Sequence, residues 1–196
     1  QQNHLAWGLS GTAAIRMRRS EDSAACQILG AHHRHFDWPD AIYRRDPATG
    51  QPLVTSNETL FGAQPEGWLV DEIAKTLQQE IPVDACAVFP LGIGGHVDHR
   101  VVTRAAQAMT HKLYYYADYP YILKRPNWPA LSPRNLSKIP RNLDESTLQH
   151  WIESVLAYPS QITAFWEEKD SVHLAYRKYL AGGGGRLWEE NTISSE

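Results

Sequence analysis

The sequence predicts an α/β fold with a mostly parallel sheet and helices on both faces, and three observations carry that prediction. Val83 to Pro90 is a short apolar run suited to a buried strand. The glycine-rich Leu91-Gly92-Ile93-Gly94-Gly95 and an amphipathic stretch from His99 to Thr110 follow it, and Lys112 to Tyr116 is a second β-rich run. Strand, loop, helix and strand in that order make a βαβ unit, and such units build parallel sheets. With 196 residues, 42% of them hydrophobic and 21% charged, the chain fits one large domain spanning 1–196.

The remaining elements follow from periodicity. Residues 13 to 29 read as a helix with Ile15, Ala25, Ile28 and Leu29 as its apolar stripe and Gly30 just past its end. A His/Trp/Pro segment and a turn-rich stretch, Arg45 to Gly50, come next. Leu69, Ile73 and Leu77 recur at helical spacing. Pro126, Pro129, Pro133 and Pro140 interrupt Lys124 to Arg141, which is expected to be an irregular excursion. Two helices are expected to finish the chain, over Ser146 to Ala157 and Ser160 to Leu180, before the glycines at 182–185. These glycines read as a loop, since no Lys-Ser/Thr follows them to make a phosphate cradle.

Composition excludes several classes. Lys and Arg number 19 against 22 Asp and Glu, so no basic surface for nucleic acid is expected. No apolar run approaches the ~20 residues of a bilayer span, so no membrane partner is expected either. Two cysteines cannot build a disulfide framework, and both stand among apolar neighbours. They read as buried core thiols of a reducing, cytoplasmic compartment.

His96-Val97-Asp98-His99 is the constellation best placed for chemistry. It lies after the first parallel strand, where ligands of open α/β sheets bind, and opens a helix. Two imidazoles three residues apart can face one point, imidazole suits zinc, and Asp98 is placed to orient a ring nitrogen. The preceding glycines would let the backbone approach a ligand. The same string also reads as a solvated helix cap with two surface histidines. His32-His33-Arg34-His35 is richer in imidazole but has no strand or glycine loop before it, and a solvated loop is the reading its context favours. Arg18 with Glu21 and Asp22 has the spacing of a surface ion pair. Neither a Gly-x-Ser-x-Gly elbow nor an exposed, electropositive cysteine is present, so the expected chemistry is metal-assisted hydrolysis.

Taken together, these segments resemble the LmbE-like, PIG-L type zinc-dependent N-deacetylases, whose fold is Rossmann-like. Arg18-Arg19-Ser20-Glu21 with Ala25 and Leu29-Gly30 is similar to the family's first conserved helix, and Trp38-Pro39-Asp40 to its aspartate-bearing strand end. Pro90-Leu91-Gly92 with His96-Val97-Asp98-His99, Tyr116-Ala117-Asp118-Tyr119-Pro120-Tyr121 and Tyr158-Pro159-Ser160-Gln161 resemble its later motifs, in the right order. The resemblance implies removal of the acetyl group from an N-acetylglucosamine-type small molecule with zinc or another divalent metal as cofactor. It implies His99 as a zinc ligand and His96 as the group that stabilises the oxyanion or protonates the leaving amine, with Asp98 orienting it. Arg18 and Asp40 would contact substrate hydroxyls.

The family's His-Pro-Asp-Asp motif, which supplies two further ligands and the general base, does not occur in these residues. The resemblance places it upstream of Gln1, so the chain reads as the family domain without its first strand–helix–strand. Activity is then expected to need the upstream segment. A homo-oligomer or an associated N-terminal fragment is the partner this implies, beside the amino-sugar substrate. Some relatives carry a tyrosine where Gly94 stands, so no tyrosine is assigned to the oxyanion. The alternative function is a non-catalytic sugar- or partner-binding module of the same fold.

Overall fold

The structure is a computed structural model, and it describes residues 11–124, 135–162, 165–166, 169–181 and 187–191. The chain divides into two compact units, one of residues 1–38 with 142–184, the other of residues 39–141 with 185–196.

The first unit is helical. Helix α1 runs Gly11–Ile28, and Gly30 takes the left-handed conformation that ends it, at φ 63°. Its buried face shares only Ala25 with the expected stripe. Ala14, Glu21 and Ala25 are buried, whereas Ile15 and Leu29 are exposed. The buried set lies at i, i+7 and i+11, a narrow face on which only small side chains and one carboxylate fit. Three more helices of this unit lie late in the sequence, beyond the elements of the second unit.

The second unit holds the βαβ core. After a 3₁₀ turn at Ala41–Tyr43 come helices α2 (Asn57–Gly62) and α3 (Gly67–Glu80), strand β1 (Cys86–Pro90), helix α4 (Val97–Gln107), strand β2 (Lys112–Tyr116) and the short helix α5 (Tyr121–Lys124). Strand β1 starts later than the apolar run suggests, because Val83, 81% exposed, lies in the turn before it. It pairs in parallel with β2, Cys86 opposite Lys112 and Pro90 opposite Tyr116. The expected βαβ unit is therefore present. The sheet is nonetheless mixed. Strand β3 (Leu136–Ile139) and, later in the chain, β4 (Leu187–Glu190) extend it antiparallel in the order β1-β2-β4-β3.

Part of the expected proline-rich excursion is thus a strand. Leu136 and Ile139 pack at the two ends of a four-residue ladder, too short for alternation to stand out between prolines. Residues 125–134 and the glycines at 182–185 lie outside the described residues. The core joins Ala87 and Phe89 of β1, Ala106 and Met109 from α4 and its end, Tyr115 of β2 and Trp188 of β4, with Leu91 and Ile93 of the loop. Burying such large apolar side chains contributes about 1.5–3 kcal/mol each, so the glycine loop is anchored by its own Leu and Ile.

The first unit closes with α6 (Glu145–Leu156), α7 (Pro159–Ile162) and α8 (Lys169–Ala181). Asp144 caps α6 by accepting from Thr147 N at 2.7 Å. Where one last helix is expected, α7 and α8 are separate. Leu148 and Ile152 of α6 are buried, and Trp151 meets Tyr176 of α8 edge to face at 4.7 Å. The cysteines depart from expectation: Cys86 is exposed and Cys26 only half-buried. An apolar sequence context cannot tell which side of a strand or helix faces inward, and both thiols fall on the less buried side.

Candidate functional site

The loop between β1 and α4 leads to the predicted histidines, and its shape follows from two side chains that grip it. Thr103 of α4 donates its hydroxyl to Pro90 O at 2.9 Å, fixing the strand end. Asp118, two residues past the end of β2 and 1% exposed, accepts from Ile93 N at 2.9 Å. The other oxygen of Asp118 is bonded to His99 Nδ1. A buried carboxylate can only accept here, so Nδ1 carries a proton and, in the neutral ring, Nε2 of His99 keeps a lone pair.

His96 has the opposite tautomer. It is the N-cap of α4, and its Nδ1 accepts from Asp98 N at 3.2 Å. Nδ1 is therefore unprotonated, and the neutral ring carries its hydrogen on Nε2. Burial holds its pKa below the ordinary imidazole value, against the charges of Asp98 and Asp40 and helped by His99 and Arg44. The rings of His96 and His99 lie 5.3 Å apart, one presenting an N–H donor and the other a lone pair.

Asp98 orients His96 in a different way from the expected one. Its backbone N–H, not its carboxylate, makes the bond to the ring. The carboxylate is held by Arg44 Nη1 and by Ala41 N at 3.1 Å. Arg44 is buried and also donates from Nε to Glu66 at 3.0 Å. Asp98 thus fastens the 39–44 segment to α4, and it reaches the imidazole through charge.

Asp40 caps the 3₁₀ turn, accepting from Ile42 N at 3.3 Å, and its charge acts on His96. Arg18 belongs to the first unit, on α1. In that unit Glu21 is buried, its oxygens taken by Ser160 N at 2.8 Å and Ser160 Oγ at 2.6 Å, so it is no surface ion-pair partner. Its neighbour Asp22 accepts from Tyr158 Oη at 2.6 Å and pairs with His35 Nε2 at 2.7 Å. The His32–His35 run is exposed over residues 32–34 as expected, while His35 is tied to α1 through Asp22 and His33 through Ser23 Oγ.

Two aromatic residues complete the surroundings of the histidines. Phe61 of α2 meets His96 edge to face at 5.4 Å and Tyr121 of α5 at 6.0 Å, and Tyr121 meets His99 at 6.0 Å. The four rings close a circuit. Gly94 and Gly95, both at positive φ, make room for it. A Cβ on Gly94 would lie 2.5 Å from Tyr121 Cγ, and one on Gly95 would lie 2.6 Å from Phe61 O. Burial pushes the Tyr121 phenol upward, and the Asp118 charge adds to it.

Asp118, Arg44, Phe61 and Tyr121 carry roles that sequence reasoning left unassigned. For Asp118 a signal existed, since it follows a parallel strand just as His96 does. Arg44 stands beside a turn-rich stretch and Phe61 on a helix of six residues, and neither has a local signature.

His99 suits zinc: its Nε2 lone pair is turned outward by a buried carboxylate, the arrangement usual for a metal-binding imidazole. Among the described residues no group of three His, Cys, Asp or Glu side chains is placed to hold a metal ion. The described residues therefore do not make up a complete set of metal donors.

The family model for GlcNAc-PI de-N-acetylase, PIG-L, matches residues 2–110, more than half of the chain. Among solved structures the chain is similar to the zinc-inhibited form of teicoplanin deacetylase Orf2, with a TM-score of 0.74 and 23% identity over 98% of this chain and 81% of that one. It is also similar to a deacetylase–teicoplanin complex, with a TM-score of 0.73 and 24% identity over 99% of this chain and 80% of that one. No curated protein matches it in sequence. The two structural likenesses establish a shared mixed α/β fold, and the matched residues settle the lineage: this chain belongs to the PIG-L family of GlcNAc-PI de-N-acetylases.

Proposed function

We propose that the protein works as a zinc-dependent N-deacetylase on a small N-acetylglucosamine-type conjugate. The observation that carries this reading is the pair His96 and His99, rings 5.3 Å apart after a glycine loop and each tied down at Nδ1, the first by Asp98 N–H and the second by the Asp118 carboxylate. Family membership supports the reaction class, and the relative captured with teicoplanin supports a small-molecule substrate.

Amide hydrolysis places negative charge on the carbonyl oxygen and must protonate the leaving amine. His96 Nε2–H is a donor to that oxygen before any proton has moved. One such donor is worth about 10²–10³ in kcat. His99 would hold zinc through Nε2, and Asp118, bonded behind it, is the positioning residue that fixes the ring. What zinc supplies when bound is Lewis acidity at the amide carbonyl. Arg18 and Asp40 are proposed to meet substrate hydroxyls.

The test uses the complete natural protein. It is expected to copurify with zinc and to release acetate from N-acetylglucosamine conjugates, and His99→Ala is expected to lose both properties. Full activity in His99→Ala overturns the proposal. Sugar binding with no acetate release from the unsubstituted protein would favour the binding-module reading instead.

A further inference from the structure

Helix α2 is unusual in what it accomplishes. It has a complete capping box, Ser56 accepting from Thr59 N at 3.3 Å and Thr59 Oγ1 accepting from Ser56 N at 3.0 Å, yet none of its six residues is buried. The helix is therefore well formed without contributing to the core. It holds Phe61, 37% exposed, edge-on against His96. The absence of a Cβ at Gly95 lets the Phe61 carbonyl come close, and the absence of one at Gly94 lets the Tyr121 ring do the same. Two independent close approaches thus bring an apolar wall to the histidines. Resting on the N-deacetylase reading, the geometry points to Phe61, backed by Tyr121, as the residue that receives the substrate's acyl group and limits its length.

The chemistry of the substrate selects this assignment. An amide with its oxygen toward His96 carries two substituents. The amine side is a polyhydroxylated sugar, which needs polar partners, whereas the acyl side is apolar and matches a phenyl face. The Phe61 backbone carbonyl is seated against Gly95, so the ring is carried beside His96 as the apolar surface that a longer acyl chain would meet first. Each methylene that fits or fails to fit a hydrophobic pocket changes selectivity by about 10-fold or more.

The test compares N-acetylglucosamine, N-butyrylglucosamine and glucosamine as probes of the complete natural protein and of its Phe61→Ala and Phe61→Leu variants. Hydrolysis is measured in the otherwise unsubstituted protein, and calorimetric binding in the His99→Ala background, where no turnover is expected. Phe61→Ala is expected to raise the butyryl-to-acetyl ratio of affinity and of kcat/KM about tenfold or more, with glucosamine binding unchanged. Phe61→Leu should fall between. An unchanged ratio overturns the inference. So does an equal loss for all three probes, which would assign Phe61 to the sugar, or the failure of all three to bind. If the unsubstituted protein hydrolyses neither acyl sugar, the deacetylase reading falls, while the binding ratio still decides the role of Phe61.

Discussion

Both units of the molecule set histidines against acidic side chains, and they differ in which ring nitrogen is tied down. In the first unit His35 and His33 are held by Nε2, bonded to Asp22 at 2.7 Å and to Ser23 Oγ at 3.0 Å. Nε2 is the tip of the side chain, so these rings act as struts between the 29–38 segment and α1. In the second unit His99 and His96 are held by Nδ1, the nitrogen nearest the backbone. Their tips are left to act on something else. A run rich in imidazole is therefore not the better site. What matters is which nitrogen the fold leaves over.

The strongest way to break this comparison is at Asp118. Asp118→Asn keeps the shape but can no longer accept at both oxygens, so His99 loses its fixed tautomer. Zinc affinity and activity are expected to fall about 10–100-fold. Equilibrium metal titration and steady-state kinetics on the complete protein would show it, and wild-type values would mean that His99 needs no partner.

Next in size is Glu21, whose buried carboxylate satisfies both Ser160 donors. Glu21→Ala is expected to cost about 1–3 kcal/mol in stability, because those donors stay buried without an acceptor. Denaturant titration measures it, and a cost within error would show that the tie is dispensable.

The smallest effect concerns acid. Burial raises the Asp22 carboxyl, but bonds from Tyr158 and His35, with the His35 charge, outweigh it and hold the pKa below its ordinary value. A carboxylate depressed in the folded state contributes stability that is whole above its unfolded pKa of about 3.9 and is lost as pH falls through the folded value. Asp22→Asn should therefore flatten the loss of melting temperature below about pH 4, with little change in slope above pH 5. Parallel acid limbs in the two proteins would show that the pair is not held in solution.

Much of this architecture is legible along the chain because it depends on local periodicity. The apolar run before Pro90, the glycines after it and the amphipathic stretch behind His99 gave the βαβ unit, and Lys112 to Tyr116 became a strand with those bounds. His96 and His99 are legible through their place after a strand. The Asp118–His99 bond joins residues 19 apart on different elements, and no short window contains it. Arg44 is hidden for the same reason, since its partner Asp98 lies 54 residues away. Neighbours in sequence do not report exposure at Cys86 and Ile15, because a neighbour in sequence can occupy the opposite face. Strands β3 and β4 each have four residues, too few for their pattern to emerge from the composition around them.

The fit of Tyr121 over Gly94 and of α2 over Gly95 constrains how this site can change over evolutionary time. A side chain at either glycine meets atoms already in place, so it cannot be accepted alone. A larger residue at 94 requires a smaller one at 121, a larger residue at 95 requires α2 to move, and either must also leave the positive φ that the glycines now hold. Such changes therefore need several adjustments together, and a single substitution at either glycine meets both a clash and backbone strain. Lineages can therefore alter the aromatic wall by replacing Phe61 outright, one step at a time, whereas the glycine side is reached only by crossing a barrier.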